Sequence, residues 1–352
     1  MPGTENPGAR PMRLLPFVAL VALLSGCFLD KEPEVVRLSG ETMGTTFNIT
    51  AIGEDLDEAK LAASVDETLA EVNAKMSNWD PNSEVSVFSA SASTDPMTIS
   101  NEFALVIAAA NDVHERTGGT FDVTLGPLIE LWGFGPRKPE DPVPSDTDIQ
   151  AALNSVGQSR LLTLDTEAGT LAKSDARVGI NLSAIAKGYG IDAVAETLRD
   201  AGIANYLVEI GGDLVAMGQN EKGEAWRIGI EKPETGSQSI QLIVSVNDLG
   251  MASSGDYKNF FEQDGVRYSH IIDPTTGRPI THRTTSVTVL AENAMMADAW
   301  ATAMLALGQE KGLKLAEEHK LAVYFISRDV TGGEEAYITA HSTAFKNALE
   351  SN

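Results

Sequence analysis

Apolar residues recur along this chain in two rhythms. Ala62, Val65, Leu69, Val72 and Met76 fall at spacings of three and four, which predicts one amphipathic helix. A second helix is expected from about Asn101 to Thr117, with Phe103, Val106, Ile107, Ala110 and Val113 inward. Gly118-Gly119 ends it, since glycine readily takes the left-handed conformation that closes a helix. Ser145-Asp146-Thr147-Asp148 reads as a capping box that opens a short helix after the Pro-rich loop Pro136 to Pro144. Ser183 to Ala201 and Asn293 to Leu307 are further helices, stopped by Gly202 and Gly308, and a last one lies near Ser342. The other rhythm is extended. Within Val35 to Gly53 it marks Thr45 to Ile52. Leu161 to Leu164 and Thr170 to Lys173 form a hairpin around Glu167-Ala168-Gly169. Tyr206 to Ile210, Leu214 to Met217, Trp226 to Ile230, Ile240 to Val246, Arg267 to Ile272, Ser286 to Leu290 and Leu321 to Ile326 are strand candidates. Strands in succession with helices grouped between them predict an α+β fold of mixed, largely antiparallel sheets with flanking helices. No internal repeat is present.

The N-terminus follows neither rhythm. Arg10 and Arg13 precede an apolar run, Leu14 to Leu24, broken only by Pro16. A spanning helix needs roughly 20 apolar residues, so the run is too short for one. A basic start, a short apolar stretch and small residues describe a secretory signal over residues 1–26, with Met12 an alternative start to Met1. Its end, Leu24-Ser25-Gly26-Cys27, resembles the bacterial lipobox, in which the cysteine is acylated and becomes the mature N-terminus. Cys27 is the only cysteine, so no internal disulfide is possible. Residues 27–39 are read as a polar tether and 40–352 as the globular part. These features predict a lipoprotein of the cell envelope, held at a membrane by lipid and facing the periplasm.

Composition narrows the partners. The chain has 352 residues, and a hydrophobic share of 43% supplies a sizeable core. Its net charge of −24 argues against nucleic acid or an anionic bilayer surface as the main partner. A phosphorylated ligand stays possible, because a cation or backbone N–H groups hold phosphate locally.

Common catalytic motifs are absent: there is no Walker A loop, no HExxH and no GxSxG elbow. What remains is a set of polar residues in apolar or glycine-rich surroundings. Asp298 and Thr302 lie four apart on the helix Asn293 to Leu307, hence on one face, beside Met296, Ala297, Trp300 and Met304. A carboxylate in such company is costly unless paired or metal-bound, and carboxylate plus hydroxyl suits Mg²⁺ or Ca²⁺. An Asp that caps and a Thr bonded to its own helix would give the same spacing. His270 ends a strand in Ser269-His270-Ile271-Ile272-Asp273-Pro274; a structural histidine is the plain alternative. Asn181 to Gly188 begins a helix with small residues and Lys187, where a phosphate could meet free N–H groups. Ile210-Gly211-Gly212-Asp213 alone means a turn.

Taken in order, the segments form a pattern. They are Glu41-Thr42-Met43-Gly44-Thr45, Met76-Ser77-Asn78-Trp79, Gly119-Thr120-Phe121-Asp122 and Gly126-Pro127-Leu128. Leu131 to Gly135, Ile185-Ala186-Lys187-Gly188-Tyr189, Glu209-Ile210-Gly211-Gly212 and Ser253-Ser254-Gly255-Asp256-Tyr257 follow. Ser269 to Pro274, Thr276-Gly277 and Ala297-Asp298-Ala299 complete the set. The ordered set resembles the ApbE family, the FAD:protein FMN transferases, from about Arg37 to past Gly308. The resemblance implies one compact ApbE-like globule that uses FAD as substrate and Mg²⁺ as cofactor. It implies transfer of FMN to a threonine or serine hydroxyl of a target protein, with release of AMP. The implied acceptors are subunits of membrane redox complexes. By resemblance the ion is held by a helix-start carbonyl, an Asp and a Thr, here Ala184, Asp298 and Thr302. Flavin contacts carry over to Met43, Trp79, Thr120, Phe121, Asp122, Asn181, Lys187 and Ile272. His270 matches a family histidine implicated in transfer, which would take or orient the proton of the attacking hydroxyl.

The chain departs from its relatives at two positions. Asn181 stands where Asp is common; it keeps an acceptor oxygen, adds donors and loses charge. Trp79 stands where Tyr is frequent, keeping an aromatic face. Two other readings use the same residues: an FAD pyrophosphatase releasing FMN and AMP, and a non-catalytic flavin-binding lipoprotein.

Overall fold

The computed structural model describes Gly3 and residues 33–134, 142–234, 239–257, 259–329, 331 and 336–350. Alternating burial along Glu34–Thr42 (β1) and Thr45–Gly53 (β2) makes a hairpin in the register Glu34 to Gly53 through Thr42 to Thr45. Its turn has positive φ at both Met43 and Gly44, as the tight turns that match strand twist require. The tether expected to reach Ser39 is therefore shorter. Residues 34–39 pair with 48–53, and Val36 is buried in the core beneath. The edge strand's polar outward positions disguise it in the sequence.

Six more strands extend this sheet: Asn205–Ile210 (β3), Asp213–Met217 (β4), Leu249–Gly255 (β5), Thr284–Ala291 (β6), Ala322–Arg328 (β7) and Tyr337–His341 (β8). All neighbours are antiparallel and their order across the sheet is their order along the chain. The expected α+β class with antiparallel sheets is what the chain forms. β6 is buried along seven of its eight residues, because both faces of the sheet are covered. The hairpin Trp226–Glu231 with Ile240–Val246 and the final helix Thr343–Glu350 cover one face.

Four helices occupy the other face: Glu58–Met76 (α1), Asn101–Arg116 (α2), Ala186–Asp200 (α3) and Ala294–His319 (α4). α1 buries Leu61, Val65, Leu69, Val72 and Met76, so Leu61 takes the inward place expected of Ala62. α3 starts three residues later than the sequence predicts. Asn181 Oδ1 accepts hydrogen bonds from the backbone N–H and hydroxyl of Ser183, which holds residues 183–185 in a turn. α4 does not stop at Gly308. It kinks there (φ 74°, ψ 167°) and resumes. The His282 ring lies 2.7 Å from where a Gly308 Cβ would stand, so that bend needs glycine. The strand expected over Arg267 to Ile272 splits into Val266–Ser269 and Ile272–Asp273, with His270 between them. No described helix is long and apolar enough to cross a membrane.

Candidate active site

The polar centre forms where α3, α4 and the turn between β3 and β4 converge. α3 crosses α4 closely, and Gly188 permits it: a Cβ at 188 would run into the Ala294 carbonyl and the Met295 Cα. The approach lets the Gly188 N–H donate to Asp298 Oδ2 at 3.1 Å. Asp192 on α3 pins the start of α4, its two oxygens accepting from the Ala294 and Met295 N–H groups at 2.9 Å each. A carboxylate there satisfies open donors and complements the helix dipole. Asp298 and Thr302 follow on one face, as their spacing predicts.

Asp298 is only 3% exposed. Burial drives its carboxyl above the ordinary carboxylate range; Lys187 opposes that shift and Asp213 adds to it. Lys187 makes a close ion pair with Asp213 Oδ2, while its Nζ stands 3.8 Å from Asp298 Oδ1. Burial works against charge on Lys187, but Asp298 and Asp213 outweigh it and hold the ammonium charged. Asp213 Oδ1 accepts from the Ser253 N–H at 3.0 Å, and the hydroxyls of Ser254 and Thr302 meet at 3.1 Å. In a regular helix the Gly188 N–H would bond the Ala184 carbonyl. It faces Asp298 instead, and among the described residues no backbone N–H bonds the Ala184 oxygen.

The remaining expected positions are held in more varied ways. Met43 rests on α3, its Sδ 3.0 Å from the Cβ position of Gly190. Trp79 is 78% exposed on a loop held by Ser77, whose Oγ accepts from the N–H groups of Trp79 and Asp80. Asn78 ties that loop to the Ile180 carbonyl and the Leu182 N–H, on either side of Asn181. Asn181 N–H donates to the Val123 carbonyl at 2.7 Å, which brings residues 120–122 alongside. A cleft of about 640 Å³ opens between the end of α2 and Pro274-Thr275, with Gly119 and Asp122 in its wall.

Three of the expected ligand side chains are committed elsewhere. The Asp122 carboxylate accepts from the Thr124 N–H and hydroxyl and from the Gln158 N–H. Asn181 Oδ1 is spent on the turn at Ser183, so the acceptor the sequence credits to it is already engaged. Ile272 is buried among Leu128, Trp132, Ile149 and Val156. Phe121 is also core, whereas Thr120 is half-buried.

His270 sits in the gap between two short strands. Its ring Nδ1 and its own backbone N both face the Asn259 carbonyl, at 2.9 and 3.2 Å. A ring nitrogen facing a carbonyl carries the proton, so Nδ1–H donates and Nε2 is left as acceptor. Burial lowers the imidazole's basicity below the ordinary value, although the Asn259 carbonyl opposes that. Phe134 lies edge-on at 6.3 Å between ring centroids. Cys27 lies outside the described residues.

Asp213 belongs to the polar centre by its ion pair with Lys187, although the sequence marks it only as part of a turn. Its signal was an acidic side chain directly after a glycine pair, which a turn explains equally well.

Residues 43–325 match the model of the ApbE family. The chain is 44% identical over 320 residues to the FAD:protein FMN transferase of Vibrio cholerae, covering 90% of this chain and 94% of that one. It is 42% identical to the FAD:protein FMN transferase of Haemophilus influenzae, covering 95% and 96%. The fold superposes on the flavin transferase ApbE from Vibrio cholerae with a TM-score of 0.81, at 42% identity over 90% of this chain and 99% of that one. The apo flavinyl transferase ApbE of Pseudomonas stutzeri gives 0.81 at 35% identity, over 90% and 97%. With this match across its length, the chain belongs to the ApbE family.

Proposed function

We propose that this chain is an FAD:protein FMN transferase that works with Mg²⁺ and places FMN on a threonine or serine hydroxyl. The hydroxyl oxygen bonds to the phosphorus of the FMN half, the pyrophosphate P–O bond breaks, and AMP leaves with the electron pair. The observation that carries the reading is the buried Asp298, one turn from Thr302, bonded by the Gly188 N–H that leaves the Ala184 carbonyl without its helical partner. The donor set consists of carbonyl, carboxylate and hydroxyl oxygens, which suits a hard divalent cation. No trio of His, Cys, Asp or Glu gathers among the described residues, and neither His nor Cys belongs to this donor set. Ala184, Asp298 and Thr302 would hold Mg²⁺, which would neutralise phosphate charge and align the reacting atoms.

The protein's own groups supply the rest. His270 Nε2 accepts the proton of the attacking hydroxyl, and the Asn259 carbonyl fixes the ring for it. The Lys187 ammonium adds positive charge beside the phosphate position. Trp79 offers an exposed aromatic face for stacking a flavin or adenine ring. Incubation with FAD, Mg²⁺ and a candidate acceptor tests the reading. Flavin fluorescence on the acceptor band in a denaturing gel is expected. Soluble FMN and AMP with an unlabelled acceptor would make the protein a pyrophosphatase, and flavin capture without AMP a binding protein.

Export and acylation at Cys27 complete the reading, with membrane redox subunits as acceptors in the periplasm. The support is the Leu24-Ser25-Gly26-Cys27 sequence behind a short apolar run. A lipid anchor would raise the effective concentration of enzyme beside membrane acceptors. Mass analysis of the mature N-terminal peptide should give acylated Cys27; a peptide retaining Gly26 excludes it.

A further inference from the structure

Two carboxylates share one ammonium in the polar centre, and they do so unequally. Asp213 is 2% exposed and has both oxygens engaged, one by Lys187 and one by the Ser253 N–H. Asp298 has only Oδ2 hydrogen-bonded, by the Gly188 N–H. Its Oδ1 accepts no hydrogen bond among the described residues, and Lys187 Nζ stops 3.8 Å short of it. A buried carboxylate oxygen without a donor is costly, and an amine on a flexible stem would ordinarily close such a gap. Asp213 prevents that closure. It is itself fixed at the first position of β4 and by the bond from β5, so it cannot follow Lys187.

We propose that Asp213 is a positioning residue that draws the Lys187 ammonium away from Asp298 and so keeps Asp298 Oδ1 open for a divalent cation. The inference rests on the Mg²⁺ reading above and adds to it a residue that acts through Lys187 rather than by touching the ion. Charge points the same way. One ammonium and two carboxylates leave the pocket one negative charge, which favours a divalent ion. Without Asp213, Lys187 is free to move onto Asp298, where it neutralises that charge and competes for the same oxygen.

The test is binding of Mn²⁺ to the full chain, read by electron paramagnetic resonance, with FAD binding in chelator read separately by flavin fluorescence. Asp213→Asn should weaken Mn²⁺ binding about tenfold or more, as loss of groups that orient metal ligands generally does. FAD binding in chelator should change far less. Asp213→Glu, which can still reach the ammonium, should recover much of the affinity. The double variant Lys187→Met/Asp213→Asn decides the mechanism, because it removes the ammonium and its nearer partner together. If Asp213 acts through Lys187, it binds Mn²⁺ as Lys187→Met does. If Asp213→Asn costs the same factor with and without Lys187, the positioning role is overturned. Equal affinity of wild type and Asp213→Asn overturns it as well and leaves the cation reading intact. Absence of Mn²⁺ binding by the wild-type chain would instead sink the cation reading itself.

Discussion

The Asp298 end and the His270 end of this site are built on opposite plans. At the Asp298 end, helices that cross at a glycine bring Lys187 and Asp298 together beside Asp213 of β4, and each charge has an opposite charge within 3.8 Å. At the His270 end, the imidazole lies between two short strands and is held by a single backbone carbonyl. The first plan fixes charge where repositioning would be expensive. The second leaves one nitrogen open toward an incoming group. Under the proposed reading, rigid packing would serve an ion and a phosphate, whereas an acceptor hydroxyl needs a side approached from outside.

The comparison breaks most sharply at Asp298. Asp298→Ala should lower the transfer rate by at least about a thousandfold, roughly 4 kcal/mol, and abolish Mn²⁺ binding. Retained activity would place the cation elsewhere. His270→Ala should cost about a hundredfold or more in transfer while cation and FAD affinities stay near wild type. A large loss of FAD affinity instead would move His270 from the acceptor side to the flavin side. Gly188→Ala should destabilise the fold by about 1–3 kcal/mol, because the added methyl meets backbone. Thermal unfolding checks it, and an unchanged midpoint would contradict the close crossing. Trp79→Ala should weaken FAD about tenfold with little change in rate at saturation, read by fluorescence titration. The smallest effect is on the pH profile. Protonation takes away the Nε2 acceptor, and burial lowers the pKa of His270 from its ordinary 6.5. Transfer should therefore hold level as pH falls through neutrality and decline only below 6.5. A decline starting above that value would assign the limb to another group.

The helical half of this architecture was open to reading from the sequence, because its signals are periodic. Asp298 and Thr302 stood out by spacing alone, and α1 and α2 by their stripes. Strands with weak patterns were missed. β1 carries polar residues at its outward positions, and β5, Leu-Gly-Met-Ala-Ser-Ser-Gly, lacks the branched residues that mark a strand. β5 nevertheless supplies both Ser253 and Ser254 to the site. The engagements of Asp213, Asp122 and Asn181 depend on partners far along the chain or on local turn geometry. No residue pattern records which of these a carboxylate or an amide will meet.

The order of the sheet has one more consequence. Every strand pairs with its successor in the chain, but between β2 and β3 the chain first builds residues 54–204. Closing so long a loop costs conformational entropy that the pairing of β2 with β3 must repay. Lys187 belongs to the inserted stretch, whereas Asp213 and Asp298 come after it. The pocket therefore exists only once α3, β4 and α4 have packed together, and a chain still folding has no competent centre with which to cut FAD.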